Sequence, residues 1–167
     1  MASRSKPQSK SLVKSQARFQ ATKTYRIVSD KFPVFDGAGA FKWGSRWVAP
    51  GRHVVHAASQ YSLAVLENLV HWNTVQLPPT LVCVVASIPD SISQTSISPR
   101  KLDDQERLRK LGNAWYDKGE YAVLWVPSVL SPYERNLLIN QNHPDFGKIK
   151  VSKAKSIIID SRLLNPK

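Results

Sequence analysis

His53-Val54-Val55-His56-Ala57-Ala58-Ser59-Gln60-Tyr61-Ser62-Leu63-Ala64-Val65-Leu66-Glu67-Asn68-Leu69-Val70-His71-Trp72 changes its periodicity midway. The first five residues read as a strand. Ser59 is placed to cap a helix over Gln60–Trp72. Leu63, Leu66, Glu67 and Val70 follow i, i+3, i+4, i+7 spacing, so they fall on one helical face. A strand thus runs directly into an amphipathic helix that carries a carboxylate on its apolar stripe.

The rest of the chain repeats short strands with mixed links. Thr24–Val28 reads as a strand with Arg26 and Val28 on one side and Tyr25 and Ile27 on the other. Asp36–Trp47 mixes glycine, aromatics and bases without periodicity and reads as a loop or irregular hairpin. Pro78-Pro79 end the first helical region, and Thr80–Ser87 reads as a central strand. Residues 88–100 read as an exposed loop. Asp103–Lys118 reads as a second helix with Leu108, Leu111 and Trp115 inward and Gly119 ending it. Tyr121–Val126 and Ser156–Asp160 read as strands. Ser131-Pro132-Tyr133-Glu134 has the form of a capping box and predicts a short helix. Short strands outnumbering helices favour a single-domain α+β fold over a doubly wound sheet.

The chain has 167 residues, 42% of them apolar, enough for one domain with a core. Its longest apolar run, Leu81–Ala86, is far shorter than the roughly 18 residues a membrane span needs. No secretory signal is legible. The lone Cys83 reads as a buried small hydrophobe in a reducing compartment, so a cytoplasmic location with no membrane contact is expected. Net charge is +12. Half of it comes from Arg4, Lys6, Lys10, Lys14, Arg18 and Lys23, in a Ser/Gln-rich stretch without an acid. Residues 1–23 are therefore read as a flexible basic arm. A mitochondrial-type leader is the alternative, but the arm lacks an amphipathic stripe. The basic remainder suits an anionic partner.

Three residues invite a chemical reading, each beside a structural one. Glu67 is either a helix-rim residue paired with His71 at i+4 or a carboxylate lining a pocket. Arg26, on a half-buried strand, needs an anion: either an internal carboxylate, Glu67 included, or a ligand phosphate. Ser128 follows a strand and is either a turn residue or a hydroxyl presented at the sheet edge. No G-x-S-x-G surrounds it. Lys42 and Arg46 beside flexible glycines can hold phosphates, and Trp43 or Trp47 can cover a ring or fill a core. The four histidines lack metal-ligand spacing, so no metal is expected.

In order along the chain, these stretches resemble the RES-domain family, named for an Arg, a Glu and a Ser. Tyr25-Arg26-Ile27 resembles its opening strand, and Gly44-Ser45-Arg46-Trp47 its G-G-R-W motif. Leu63–His71 resembles the glutamate helix, and Gly112-x-x-Trp115 with Val126-Pro127-Ser128 the approach to the family serine. Asn136–Asn140, His143-Pro144-Asp145-Phe146 and Asp160-Ser161-Arg162-Leu163 complete the series. The chain departs from the pattern at His56, where a tyrosine is usual, at Ser45 for a glycine, and at Val48.

The resemblance implies a domain over residues 24–167 with an ADP-ribosyltransferase-like split β-sheet and flanking helices. It implies a toxin of a bacterial type II toxin–antitoxin pair that consumes NAD as substrate, with no cofactor, by hydrolysis or phosphorolysis of the nicotinamide–ribose bond. ADP-ribosylation of a host protein is the alternative activity. Arg26, Glu67 and Ser128 would be catalytic, and Arg26, Arg46, Trp47, His56 and Ser128 would bind substrate. The implied partner is an antitoxin with a Xre-like helix-turn-helix domain, a complex that can include a homodimer and that meets DNA only through the antitoxin. Outside the resemblance, the charge alone suits a non-enzymatic nucleic-acid-binding protein; within it, His56 suits a degenerate family member kept as a protein-binding module.

Overall fold

The structure, a computed structural model, describes residues 21–70, 80–99 and 101–163. The strands are β1 (Thr22–Ser29), β2 (Val54–Ala58), β3 (Leu81–Ile88), β4 (Gln94–Ser96), β5 (Val123–Pro127), β6 (Arg135–Asn140), β7 (Lys150–Val151) and β8 (Lys155–Ser156). The helices are α1 (Ala38–Trp43), α2 (Tyr61–Leu69) and α3 (Gln105–Lys118). The eight strands form one mixed sheet in the order β4-β5-β6-β2-β1-β3-β7, with β8 also on β3. Only β4 and β5 run parallel. This is the α+β class expected. Among the described residues no helix is long and apolar enough to cross a membrane.

Period-two alternation sorts the sheet residues into two faces. Val55 and Ala57 of β2, Val123 of β5, and Leu137 and Ile139 of β6 pack in one cluster with Ala86, Ile88 and Ile92. On the other face Val54, Leu124, Val126 and Leu138 meet α3 through Leu108 and Trp115. Further along, α2 puts Leu63, Ala64 and Val65 against Ile27, Ala58 and Leu81, with Tyr25 alongside. Val84 and the Leu137–Ile139 run are fully buried, as strands covered on both faces require.

The sheet is nearly two sheets. β1 pairs with β3 over eight successive positions, from Thr22↔Ile88 to Ser29↔Leu81. β2 pairs with β6 over its whole length. Between β1 and β2 the register is the single pair Tyr25↔Ala58. The strands diverge there and open a cleft on the α2 side.

Several expectations are corrected. Asp36–Trp47 is not all loop, because Ala38–Trp43 winds into α1. Its one buried residue, Ala40, packs beside Val54. The 88–100 loop contains β4, which the β5 edge recruits by parallel pairing. The predicted helix at Ser131-Pro132-Tyr133-Glu134 is a turn, closed by the Glu134 N–H on the Ser131 carbonyl at 3.1 Å. The apolar run that follows is needed as β6, between β5 and β2, so tertiary pairing overrides the local signal. The last strand is only Lys155–Ser156, and β3 lies between β1 and the short β7 and β8 rather than at the centre. α2 starts at Tyr61 without a side-chain cap, while Ser59 Oγ accepts the Arg135 N–H at 3.3 Å. Pro78-Pro79, His71 and most of the basic arm lie outside the described residues, although β1 already begins at Thr22.

The inward faces also differ. Leu66 is 41% and Val70 60% exposed, because α2 turns Leu63, Ala64, Glu67 and Asn68 inward instead. Leu111 of α3 is 37% exposed. α3 otherwise follows its sequence: Asp104 Oδ1 caps the Arg107 N–H at 3.0 Å, and Gly119 ends it at φ 64°.

α3 seats the loop after α1. Gly112 lies so close to the Trp47 carbonyl that a Cβ would overlap the oxygen. On either side of it, Arg109 Nε donates to the Ser45 carbonyl at 3.0 Å and Asn113 Oδ1 accepts from the Ala49 N–H at 2.9 Å. Gly112→Ala should therefore destabilise the fold by about 1–3 kcal/mol, the usual range for overpacking. Gly147→Ala, whose Cβ meets nothing within 4 Å, should change it little. Urea denaturation of both variants checks this contrast.

Candidate active site

The cleft at the split has a volume of about 600 Å³. It is bordered by Tyr25 and Arg26 of β1, Ser45–Trp47, His56 of β2, Glu67 and Asn68 of α2, and Asn136 and Leu138 of β6. A strand that stops pairing leaves polar backbone unsatisfied. Arg26 answers that need. Its Nη1 donates to the His56 carbonyl at 2.9 Å, bridging from β1 to β2 beyond the end of their pairing. Its Nε donates to the Val34 carbonyl at 3.1 Å.

Arg26 has no carboxylate within 4 Å among the described residues, Glu67 included. Burial pushes its pKa down and the charge of Asp36 pushes it up. An arginine remains charged under such opposition. The guanidinium is therefore a largely buried cation held by neutral carbonyls, with Nη2 unengaged among the described residues, at the wall of the cleft.

Glu67 enters from α2. Its Oε1 accepts hydrogen bonds from Ser128 Oγ at 3.0 Å and Asn136 Nδ2 at 2.6 Å. Neither the Arg26 ion pair nor any other salt bridge forms at Glu67 among the described residues. Arg26 and Glu67 thus share the cleft without an ion pair between them, and Arg46 is a second cation at its border.

Ser128 is 1% exposed and does not border the cleft. It follows β5, and its Oγ accepts the N–H groups of Leu130 at 3.0 Å and Ser131 at 3.2 Å. Both lone pairs are committed to that turn, so its proton points to Glu67. This hydroxyl orients a carboxylate and is not placed to attack a substrate.

The other sequence candidates divide. Arg46 is exposed at the cleft border, and its Nη1 donates to the Leu102 carbonyl at 3.1 Å. Trp47 borders the cleft but is 4% exposed and packs with Val48, Leu108 and Trp115. Trp43 is 73% exposed with Lys42 Nζ 4.7 Å from its ring centroid. Ser45 Oγ accepts from the Trp47 and Val48 N–H groups at 3.1 and 3.2 Å, which closes the loop locally. Cys83 is half-buried, and burial raises its thiol pKa, away from nucleophile chemistry. Among the described residues no three His, Cys, Asp or Glu side chains are grouped to hold a metal ion. Asn136 is the contributor the sequence reading missed as a site residue. It sits in a run read only as part of a motif, and the side of β6 that faces the cleft is fixed by pairing with β2.

His56 is unusual. Its Nε2 is buried without a hydrogen-bond partner. Its pKa is pushed down to about 4, first by burial and then by the Arg26 charge, against a hydrogen bond with the Val54 backbone. The ring is neutral at physiological pH. The unfolded chain, with His56 near 6.5, takes up the proton first as pH falls. Stability should thus be complete above about pH 6.5 and fall toward pH 4, by about 3 kcal/mol from this residue alone. Urea midpoints from pH 7 to 4 should fall more steeply for the native protein than for His56→Phe. Superimposable slopes would rule the assignment out.

Comparison with known proteins places this geometry in context. The sequence pattern described as the RES domain matches residues 23–160. A protein of Sphingobium sp. (strain YBL2), described as a Prs ADP-ribosylating toxin, is 36% identical over 156 residues, covering 86% of this chain and 97% of that protein. A protein of Photorhabdus laumondii described as Toxin Res is 33% identical over 152 residues, with the same 86% and 97% coverage. In fold the chain is similar to a chain of the M. tuberculosis MbcT-MbcA toxin–antitoxin complex, with a TM-score of 0.68 over 86% of this chain and 87% of that one, at 13% identity.

Proposed function

The chain belongs to the RES-domain family, and on that premise we propose that it is a toxin that consumes NAD by breaking the nicotinamide–ribose bond. The observation that carries this reading is that Arg26 and Glu67 share one cleft without an ion pair between them, each hydrogen-bonded to neutral groups. NAD matches that charge pattern. Its diphosphate needs a cation, and its bond cleavage develops positive charge on the ribose, as in glycoside hydrolysis.

Arg26 binds the diphosphate through the guanidinium edge not used on Val34 and His56. Arg46, at the cleft border, adds a second cation. Glu67 faces the ribose, where its carboxylate holds a hydroxyl and stabilises the oxocarbenium-like state. The C–N bond breaks with its electron pair leaving on nicotinamide, which departs neutral. Water or phosphate then bonds to the anomeric carbon and loses a proton to solvent. Ser128 serves by orienting Glu67. The partner proposed is an antitoxin, a reading supported by the toxin–antitoxin complex in which the structural neighbour was solved; that it carries a Xre-like helix-turn-helix domain rests on the family resemblance alone.

A second reading has its own support. The name of the Sphingobium relative favours transfer of ADP-ribose to a protein. One experiment separates the acceptors: incubation of the pure protein with NAD, with and without phosphate and with cell lysate, followed by mass analysis. Free ADP-ribose marks hydrolysis, a phosphorylated ADP-ribose marks phosphorolysis, and a mass increment on a protein marks transfer. In the productive condition Glu67→Gln and Arg26→Ala should each lower turnover at least about 100-fold, as loss of a transition-state contact does. Unchanged NAD in all conditions, or full activity in both variants, overturns the proposal.

A further inference from the structure

We infer that Asn136 is a positioning residue that, with Ser128, fixes Glu67 so that one carboxylate oxygen belongs to the protein and the other to the substrate. The inference rests on the proposed NAD chemistry of Glu67 and adds a residue to that site.

Glu67 reaches the cleft from a nine-residue helix whose neighbouring Leu66 is 41% exposed. Its three side-chain torsions leave the carboxylate free to swing. Two donors converge on the same atom, Oε1: Ser128 Oγ at 3.0 Å and Asn136 Nδ2 at 2.6 Å. Both donors are anchored to other elements. Ser128 is locked by the two turn amides it accepts from. Asn136 is pinned by its backbone, which pairs with Ala58 of β2 on one side and Val126 of β5 on the other.

The amide orientation of Asn136 follows from chemistry. A carbonyl oxygen 2.6 Å from a carboxylate oxygen would be repelled, so the NH2 end faces Glu67. With Oε1 doubly occupied, Oε2 has no hydrogen-bond partner among the described residues, and Glu67 borders the cleft. Two fixed donors on one oxygen set the plane of the carboxylate. Such supporting contacts hold a reacting group to the few tenths of an ångström that catalysis needs.

Asn136→Ala should lower kcat about 10- to 100-fold with KM for NAD changed less than about threefold, because orientation is lost and the diphosphate site is intact. Asn136→Asp keeps the shape and places a second carboxylate against Oε1. Two carboxyl groups at that distance do not both ionise readily, so the acid limb of the kcat pH profile should move to higher pH by one unit or more. A residue remote from Glu67 leaves that limb in place, and a residue that serves only the fold does not give the split between kcat and KM. Ser128→Ala combined with Asn136→Ala should cost less than the product of the single losses, since both act through one oxygen.

If the native protein consumes NAD and Asn136→Asp keeps both its kcat and its pH profile, the inference fails while the proposed function stands. If the native protein leaves NAD intact, the proposed function fails, and a crystal structure of Asn136→Ala decides the geometry. The Glu67 carboxylate should then rotate away from its native plane, and an unmoved carboxylate overturns the inference. Should Asn136→Ala not fold, the near-isosteric Asn136→Leu, which lacks a donor, provides the same structural readout.

Discussion

One register controls the molecule: among the described residues the β1–β2 ladder is the single pair Tyr25↔Ala58. On either side of that contact the ladders are long. β1 is zipped to β3 and β2 to β6, so neither strand can close the gap without unzipping from its other neighbour. The gap is therefore built into the pairing of the sheet, with the 44–47 loop at its border. Its backbone cost is met by Arg26, which supplies to the His56 carbonyl the donor that the missing ladder does not. The same side chain thereby stabilises the split and charges the cleft that the split creates.

The electrostatics follow from that arrangement. A buried arginine is ordinarily balanced by a carboxylate. Here the carboxylate in the same cleft is engaged elsewhere, by Ser128 and Asn136, and two carbonyls carry the guanidinium. Keeping the charges apart leaves each able to meet a ligand group of opposite sign. His56 belongs to the same economy of charge. Beside a fixed cation and out of water, its ring stays neutral and adds no repulsion to the site.

The cleft also depends on α3, which touches it only at Gln105. α3 carries no cleft catalytic group, yet Arg109, Gly112 and Asn113 bind three successive parts of the 45–49 segment. The glycine of the Gly112-x-x-Trp115 motif is there because helix backbone and loop carbonyl touch. The stretch at residues 44–47 is in this sense a packing segment: Trp47 is core, and Ser45 closes the turn.

The sequence by itself determined the α+β class, α3 with its Asp104 cap and Gly119 stop, most of β1, β2 and β5, and the ordered motifs that identify the family. These are local signals: period, capping chemistry and a left-handed glycine act over a few residues. It pointed to Arg26, Glu67 and Ser128 but left each with a structural alternative, since a side chain's partner lies on another strand. It misread residues 131–134 as a helix start and turned the α2 stripe toward Leu66 and Val70, because β6 pairing and the α2 packing angle are set by distant residues. Only the tertiary structure decided that Arg26 and Glu67 share a cleft unpaired, that Ser128 gives its proton to Glu67, and that Asn136 joins them. Those facts rest on register between strands some tens of residues apart, where one step of slip would turn each side chain to the opposite face.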